Sequence, residues 1–328
     1  MNNSSAQTIR IATRASPLAL YQANHTAELL RDAMPDFQIE VVNVSTAGDQ
    51  AKNEPLQQLG GVGVFTREIQ KAVLDGRADI AVHSLKDLPT EPTNGLTLAA
   101  VPEREWPYDV LVLSATIERK RQRESDSQVE ADDPFANLVP NARVGTGSLR
   151  RRAQLLHHLS NLKFFDVRGN VETRLRKLDA DEYDALILAE AGLRRLGLND
   201  RIHVALKPPI LYPAVGQGAL GIECRVDDSQ LCEFQKLSDP ATFDAVTAER
   251  SLLSDLRAGC HAAVGVTTRQ SKDDLTLDAV VLSSDGRQRL TASATLSANQ
   301  AESLGKLVAE ELRRQGADSL INTAHDSG

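Results

Sequence analysis

The chain has 328 residues, 41% hydrophobic and 25% charged, with a formal net charge of −8. That is long enough for two or three cores, too acidic for general affinity to nucleic acid, and without any apolar run near the ~20 residues of a membrane span. Three cysteines (Cys224, Cys232 and Cys260), an odd number with no CxxC spacing, argue against a disulfide framework or zinc site and for a reduced, cytoplasmic setting. The polar start, Met1 to Thr8, lacks the basic and apolar stretches of a secretory signal.

Thr8 to Thr13 alternates and predicts a first strand. Ser16 followed by Pro17 is a helix start, because a hydroxyl can cap free amides and proline suits the first helical position. The helix should run to about Ala33, and Ile39 to Thr46 gives a second strand. A glycine-rich lid-like piece, Gln50 to Val64, follows, then a helix with Thr66 as its cap. Ile80 to Val82 is a β-forming apolar run that ends in His83-Ser84-Leu85-Lys86-Asp87-Leu88-Pro89. This β-α-β alternation predicts a mostly parallel sheet, in which ligands gather at the carboxyl ends of strands. Read alone, the segment is as well explained by a strand turning into a solvated loop.

Leu96 to Val101 and Asp109 to Ser114 are two strands that carry the chain onward, with Pro102 and Pro107 marking a hinge. Ile117 to Pro134 is highly charged and reads as an exposed loop or disordered insertion. A second β-α-β series then places Thr146, Ser148 and Arg150 to Arg152 after one strand, Arg168 and Arg174 around the next helix start, and Arg194 and Arg195 after a third strand. From Asp239 a helix (Ala241 to Leu256), three alternating strands and a helix from about Ala298 to Gln315 predict a small α+β domain.

The sharpest local signal is arginine at helix starts. Between Arg143 and Lys207 stand 13 basic and 8 acidic residues, a net of +5 within an acidic chain. Three arginines on one first turn oppose the helix dipole by ~0.3–1 kcal/mol each, so Ser148-Leu149-Arg150-Arg151-Arg152 should be meeting a negative partner. Fork-shaped guanidinium groups suit a polycarboxylate or phosphate ligand. Gly216-Gln217-Gly218-Ala219-Leu220-Gly221 matches GxGxxG formally, but a strand rather than a helix follows, so it reads as a turn. The histidines are scattered, no metal site is expected, and His83 reads as a hydrogen-bonded strand residue. Cys260, beside His261, could be a reactive thiolate or a small buried apolar residue.

Six motifs in order resemble the porphobilinogen deaminase (hydroxymethylbilane synthase) family: Ala12 to Ala19, His83 to Pro89, Val144 to Arg151, Arg168 to Val171, Pro213 to Ala219, and Glu249-Arg250 leading to Gly259-Cys260. The resemblance runs from about residue 9 to 265. It implies two α/β domains like periplasmic binding proteins (1–102 with 214–238, and 103–213) and a C-terminal α+β domain, 239–328, with a three-stranded antiparallel sheet. It implies a dipyrromethane cofactor joined to Cys260 by a thioether, four porphobilinogens added with loss of ammonia, and release of hydroxymethylbilane. By the same motifs Asp87 is the catalytic acid/base. Lys86, Ser84, Thr146, Ser148, Arg150 and Arg151 bind the cofactor, and Arg14, Ser16, Arg168, Arg174 and Arg195 bind substrate. A cytoplasmic monomer without nucleic-acid or membrane partners is expected.

The sequence departs from the family pattern in two places. Ala262-Ala263 stands where a Val/Ile-Pro pair is common, which should loosen the cysteine loop, and Gln58 and Val62 stand where the lid often carries lysine. Two other readings therefore accompany the enzyme: a non-catalytic or slow polycarboxylate-binding relative on the same fold, and a cysteine hydrolase using Cys260 and His261.

Overall fold

Strand β1 (Thr8–Thr13) begins the first α/β body of the computed structural model, which describes residues 7–45, 63, 66–124, 133–136, 138–159, 161–259 and 262–326. Helix α1 (Pro17–Ala33) starts where expected: Ser16 is extended, its hydroxyl accepts a hydrogen bond from Ala19 N at 3.3 Å, and Pro17 takes the first position. Ala23, Ala27 and Leu30, one helical face, pack on Ile9, Ile11, Ile80 and Val82. Strand β2 (Gln38–Asn43), helix α2 (Arg67–Leu74), and strands β3 (Ile80–Ser84) and β4 (Leu96–Ala100) complete the first half of the chain's course here. Thr66 makes no side-chain cap to α2; its hydroxyl donates to Gly63 O at 3.4 Å instead.

The second body contains β5 (Asp109–Leu113), α3 (Ala115–Glu124), β6 (Arg143–Gly145), α4 (Leu149–His158), β7 (Lys163–Phe165), α5 (Val171–Asp179), β8 (Ala185–Ala189), α6 (Glu190–Arg195) and β9 (Val204–Leu206). The chain then returns to the first sheet as β10 (Leu220–Arg225). Sheet orders are β2-β1-β3-β10-β4 and β7-β6-β8-β5-β9.

Both sheets are mixed rather than mostly parallel. β1 runs parallel to β2 and β3, and β6 to β7 and β8, joined by helical crossovers. β10 lies antiparallel between β3 and β4, and β5 antiparallel between β8 and β9. These reversed strands are the ones that meet the two connections between the bodies, so their direction follows from where the chain crosses over, not from a local β-α-β unit.

The connections, 101–108 and 213–219, lie against each other. Gly218 has φ +88°, and a Cβ there would fall 2.6 Å from Glu105 O and 2.8 Å from Trp106 O, so only glycine lets the two passes approach this closely. Polar contacts tie them: Arg104 Nε donates to Gln217 O at 2.8 Å, and Gln217 Nε2 donates to Pro107 O at 2.7 Å.

Helix α7 (Leu231–Gln235) leads to the C-terminal α+β body: α8 (Pro240–Asp255), capped by the Asp239 side chain, strands β11 (Val264–Ser271), β12 (Asp274–Leu282) and β13 (Arg289–Ser297), and helices α9 (Ala301–Arg314) and α10 (Ala317–Asp326). The three strands form an antiparallel meander, and Leu252, Val266, Leu277, Val308 and Leu312 make its core with α8 and α9. Glu249, on α8 and fully buried, bonds Arg104 Nη1 at 2.6 Å, Gly216 N at 2.8 Å and Thr268 Oγ1 at 3.1 Å, joining this body to the hinge.

The structure departs from the sequence expectation in two further elements. The first part of the charged 117–134 stretch is helix α3, begun by Ser114, whose hydroxyl accepts from Ile117 N at 3.3 Å, and held by Ile117, 8% exposed in the core of the second body. Residues 125–132 of that stretch lie outside the described residues. Helix α10, whose Leu320 and Ile321 return to the α8–α9 core, was not expected.

Candidate active site

The predicted site residues follow the carboxyl ends of parallel strands. Arg14 and Ser16 come after β1, Lys86 and Asp87 after β3 (Ser84 is its last residue), Thr146, Ser148, Arg150 and Arg151 after β6, Arg168 and Arg174 after β7, and Arg195 after β8. That edge of a doubly wound sheet is where ligands bind. Helix α1 also packs on α6, so the strand ends of the first body face those of the second.

Asp87 closes a single 3-10 turn, Leu85–Asp87, anchored by Leu85 N to Ala219 O at 3.0 Å and Leu88 N to Leu85 O at 3.1 Å. Leu85 and Leu88 are buried on either side of it, while Asp87 is exposed. Among the described residues its carboxylate accepts no hydrogen bond. Ser84, at the end of β3, accepts from Gln22 Nε2 at 2.8 Å.

Two cations, Lys86 and Arg174, lie within electrostatic reach of this carboxylate. Burial pushes the Lys86 ammonium down to about 8, against the pull of Asp87 and with a push from Arg151. Burial likewise pushes the Arg174 guanidinium down to about 10, again with Arg151 lowering and Asp87 raising. Asp87 of the first body is therefore within electrostatic reach of Arg174 and Lys86, and both of these feel Arg151 of the second body. Arg174 Nε donates to Gly169 O at 2.8 Å, and neither Lys86 nor Arg174 meets a carboxylate within salt-bridge distance among the described residues.

Arg150 and Arg151 are occupied differently. Their negative partner includes a residue the sequence reading missed: Asp109, the first residue of β5 and 1% exposed. Asp109 Oδ2 accepts from Arg150 Nη2 at 2.8 Å, and Oδ1 accepts from Arg151 Nε at 2.9 Å and Gln217 Nε2 at 3.1 Å. Arg150 also reaches Tyr212 O, and Arg151 Nη1 reaches Ile187 O at 3.0 Å. Despite burial, the two guanidinium groups hold the Asp109 carboxyl at about 2. The signal available in the sequence was an acid opening an otherwise wholly apolar strand, which is costly unless paired.

Arg195 turns toward the hinge: its Nε donates to Glu105 Oε2 at 2.9 Å and its Nη2 to Gly218 O at 2.8 Å. Ser16 and Ser148 cap α1 and α4, Ser148 Oγ accepting from Arg151 N at 3.4 Å. Thr146, 2% exposed, accepts from Ser148 N at 3.3 Å. Each cap satisfies one helix-start amide, and the other amides of a first turn can meet an anion.

His83, expected to be hydrogen-bonded, is a buried strand residue whose Nε2 lies 3.0 Å from Glu223 Oε2 without hydrogen-bond geometry; that carboxylate oxygen accepts from Gln70 Nε2 at 2.9 Å. Among the described residues no group of three or more His, Cys, Asp or Glu side chains is arranged to hold a metal ion, and no helix is long and apolar enough to cross a membrane.

Cys260 and His261 lie outside the described residues, as do Gln58 and Val62. The flanks of the cysteine are described: Arg257 has φ +48°, Ala258 N bonds Leu253 O at 3.1 Å, and Ala262 N bonds Gly259 O at 3.0 Å. Ala262 and Ala263, expected to loosen this segment, are 7% and 3% exposed and packed in the core, and Ala263 O accepts from Leu282 N at 3.1 Å.

Comparison with known proteins gives two family-model matches: porphobilinogen deaminase, dipyromethane cofactor binding domain, over residues 9–233, and porphobilinogen deaminase, C-terminal domain, over residues 243–314. Porphobilinogen deaminase of Nostoc sp. is 45% identical over 322 residues, 98% of this chain and 96% of that protein. The Geobacter sulfurreducens protein of the same name is 41% identical over 314 residues, 95% and 93% of the two chains. Among solved structures, the methionine binding protein MetQ is matched with a TM-score of 0.41 at 12% identity, over 70% of this chain and 89% of that one.

Proposed function

The chain belongs to the porphobilinogen deaminase family, and on that premise we propose that Asp87 is its catalytic carboxylate and Cys260 its cofactor-bearing thiol. The reaction is the head-to-tail condensation of four porphobilinogens on a covalent dipyrromethane primer, with loss of ammonia, then hydrolytic release of hydroxymethylbilane. When bound, the dipyrromethane supplies the nucleophilic pyrrole carbon from which the chain grows. Its acetate and propionate groups would fit the donor set on the cofactor side, where Lys86 is cationic and without a carboxylate partner among the described residues.

In this reading Asp87 acts on the substrate. As porphobilinogen's C–N bond breaks and ammonia departs, positive charge spreads into the pyrrole. A carboxylate with no hydrogen bond of its own can accept the ring N–H and stabilise that charge, and can take the ring proton released when the new C–C bond forms. This carboxylate just past a strand end, free of hydrogen bonds among the described residues and within electrostatic reach of Lys86 and Arg174, is the observation that carries the proposal. Ser84, Thr146, Ser148, Arg150 and Arg151 serve the cofactor side of the cleft, and Arg14, Ser16, Arg168, Arg174 and Arg195 the substrate side. For Arg150, Arg151 and Arg195 part of the role is to hold the cleft's own walls, as their bonds to Asp109 and the hinge suggest. The net charge of −8 supports a small-molecule enzyme without nucleic-acid partners, and three cysteines with no CxxC spacing support a reduced, cytoplasmic setting; a monomer is the family expectation.

The test is intact-protein mass spectrometry on precursor-supplied protein, with peptide mapping. The expected result is an added mass equal to two linked pyrroles on the peptide containing Cys260, absent in Cys260→Ala. A free Cys260 thiol in freshly prepared, active protein would overturn the assignment.

Lys86 gives a pH signature. Its ammonium is charged below about 8 and neutral above it, so anion binding by Lys86 weakens as pH rises through about 8. We expect the unloaded protein to assemble its cofactor more slowly on that side, and the falling limb to move upward in Lys86→Arg, whose guanidinium stays charged. A limb at the same pH in both proteins would remove Lys86 from the explanation.

A further inference from the structure

Helix α8 touches the Asp87 turn through two residues four apart, on one helical face. Val246, 1% exposed, packs against Leu85 and Leu88, the apolar residues flanking Lys86 and Asp87. Arg250, one turn on, sends both ends of its guanidinium to the main chain just past Asp87: Nη1 to Leu88 O at 3.1 Å and Nη2 to Pro89 O at 2.7 Å. A fork spanning two successive carbonyls fixes position and orientation together. Among the described residues Arg250 makes no ion pair within salt-bridge distance, and burial lowers its pKa while Glu223 raises it. A cation kept away from carboxylates and spent on two carbonyls is placed there for geometry.

The same helix leads into the cysteine. α8 ends at Asp255, and Ala258 N is bonded back to Leu253 O two residues before Cys260. α8 is thus joined at one point to the turn that carries Asp87 and at its end to the segment that carries the thiol.

We propose that Arg250 is a positioning residue for Asp87, locking the carboxylate's turn to helix α8. The inference rests on the assignment of Asp87 above. Removing the clamp leaves the substrate-side residues Arg14, Ser16, Arg168, Arg174 and Arg195 on their own elements and lets the turn of Lys86 and Asp87 drift, which in the cofactor-loaded protein lowers kcat and leaves KM nearly unchanged. Displacement of a reacting group by about 1 Å can cost on the order of 100-fold.

Arg250 also lines a groove of about 970 Å³, together with Thr90, Val246, Ser251 and Arg257, which is open enough to admit a small solute. A guanidinium ion can therefore reach the space vacated in Arg250→Ala. The experiment compares wild type, Arg250→Ala, Arg250→Lys and Asp87→Asn, with kcat and KM expressed per cofactor-loaded molecule and folding followed by thermal unfolding.

For loaded Arg250→Ala we expect kcat lower by about 10- to 100-fold with KM within about twofold. Millimolar guanidinium chloride should restore part of kcat where sodium chloride at equal ionic strength does not, and Arg250→Lys, able to reach one carbonyl, should be intermediate. A loaded Arg250→Ala with kcat within twofold of wild type overturns the inference, as does a loss that guanidinium fails to relieve and that tracks the folded fraction. Should the alanine variant not fold, the lysine variant decides: an unchanged kcat overturns the inference and a reduced one at unchanged KM supports it. If Asp87→Asn keeps turnover, the Asp87 assignment itself fails; if it is inactive while Arg250→Ala is normal, only the clamp is wrong.

Discussion

Asp87→Asn should lower porphobilinogen turnover by ~10²–10⁴-fold, the range for loss of a positioned charge or acid/base group, while leaving the fold intact. The two halves of this expectation have separate grounds. Stability should stay within about 0.5 kcal/mol, because Asp87 is exposed and its carboxylate holds no hydrogen bond among the described residues. The turn around it is held by Leu85, Leu88 and Arg250, none of which depends on the Asp87 side chain. Activity should collapse because asparagine keeps the size but can neither carry the negative charge nor take a proton. Its removal also withdraws the one influence near Asp87 that raises both Lys86 and Arg174. Ammonia release in single turnover and the midpoint of thermal unfolding measure the two halves. Near-normal ammonia release, or a large drop in unfolding midpoint, would each contradict the argument.

How much of this was legible in the sequence depended on whether the cause was local. Ser16-Pro17 and Ser148 announced α1 and α4 because a cap and its amides sit within three residues. The strand ends were readable for the same reason, and with them the edge that the predicted site residues other than Cys260 follow. Gly216-Gln217-Gly218 was rightly read as a turn, since strand β10 follows it. The direction of β10 was not readable, because Ile222 pairs with Val82 across a whole second body and no local pattern records that. Helix α3 hid inside a charge run, although Ser114 and Ile117 carried a cap and an apolar anchor. A helix start bearing Arg150, Arg151 and Arg152 did require a negative partner, and a buried aspartate 41 residues earlier supplies part of it. Arg250 was quoted as part of a motif, yet its reach to Leu88 and Pro89 spans 162 and 161 residues and could emerge only from the fold.

That buried aspartate yields the largest expected effect on stability. Asp109→Ala should destabilise the protein by ~3–5 kcal/mol, because it leaves Arg150 and Arg151 buried without their counter-charge. Burial alone would raise the Asp109 pKa, but the two guanidinium groups win and hold it at about 2, below its ordinary 3.8. A depressed carboxylate stabilises the fold fully above its unfolded value and loses that contribution as pH falls through its folded value. The pair of values corresponds to a contribution on the order of 2 kcal/mol. Wild-type stability should therefore decline between about 3.8 and 2 in part through Asp109, and Asp109→Asn, which keeps an acceptor for one guanidinium but no charge, should lack that part of the decline. Loss in the asparagine variant should be smaller than in the alanine variant, since one hydrogen-bond acceptor survives. Denaturant unfolding across that pH range measures all three proteins. An Asp109→Ala protein within about 1 kcal/mol of wild type at neutral pH would mean that Arg150 and Arg151 find other partners. The anion they were expected to meet from outside the chain would then be the first place to look.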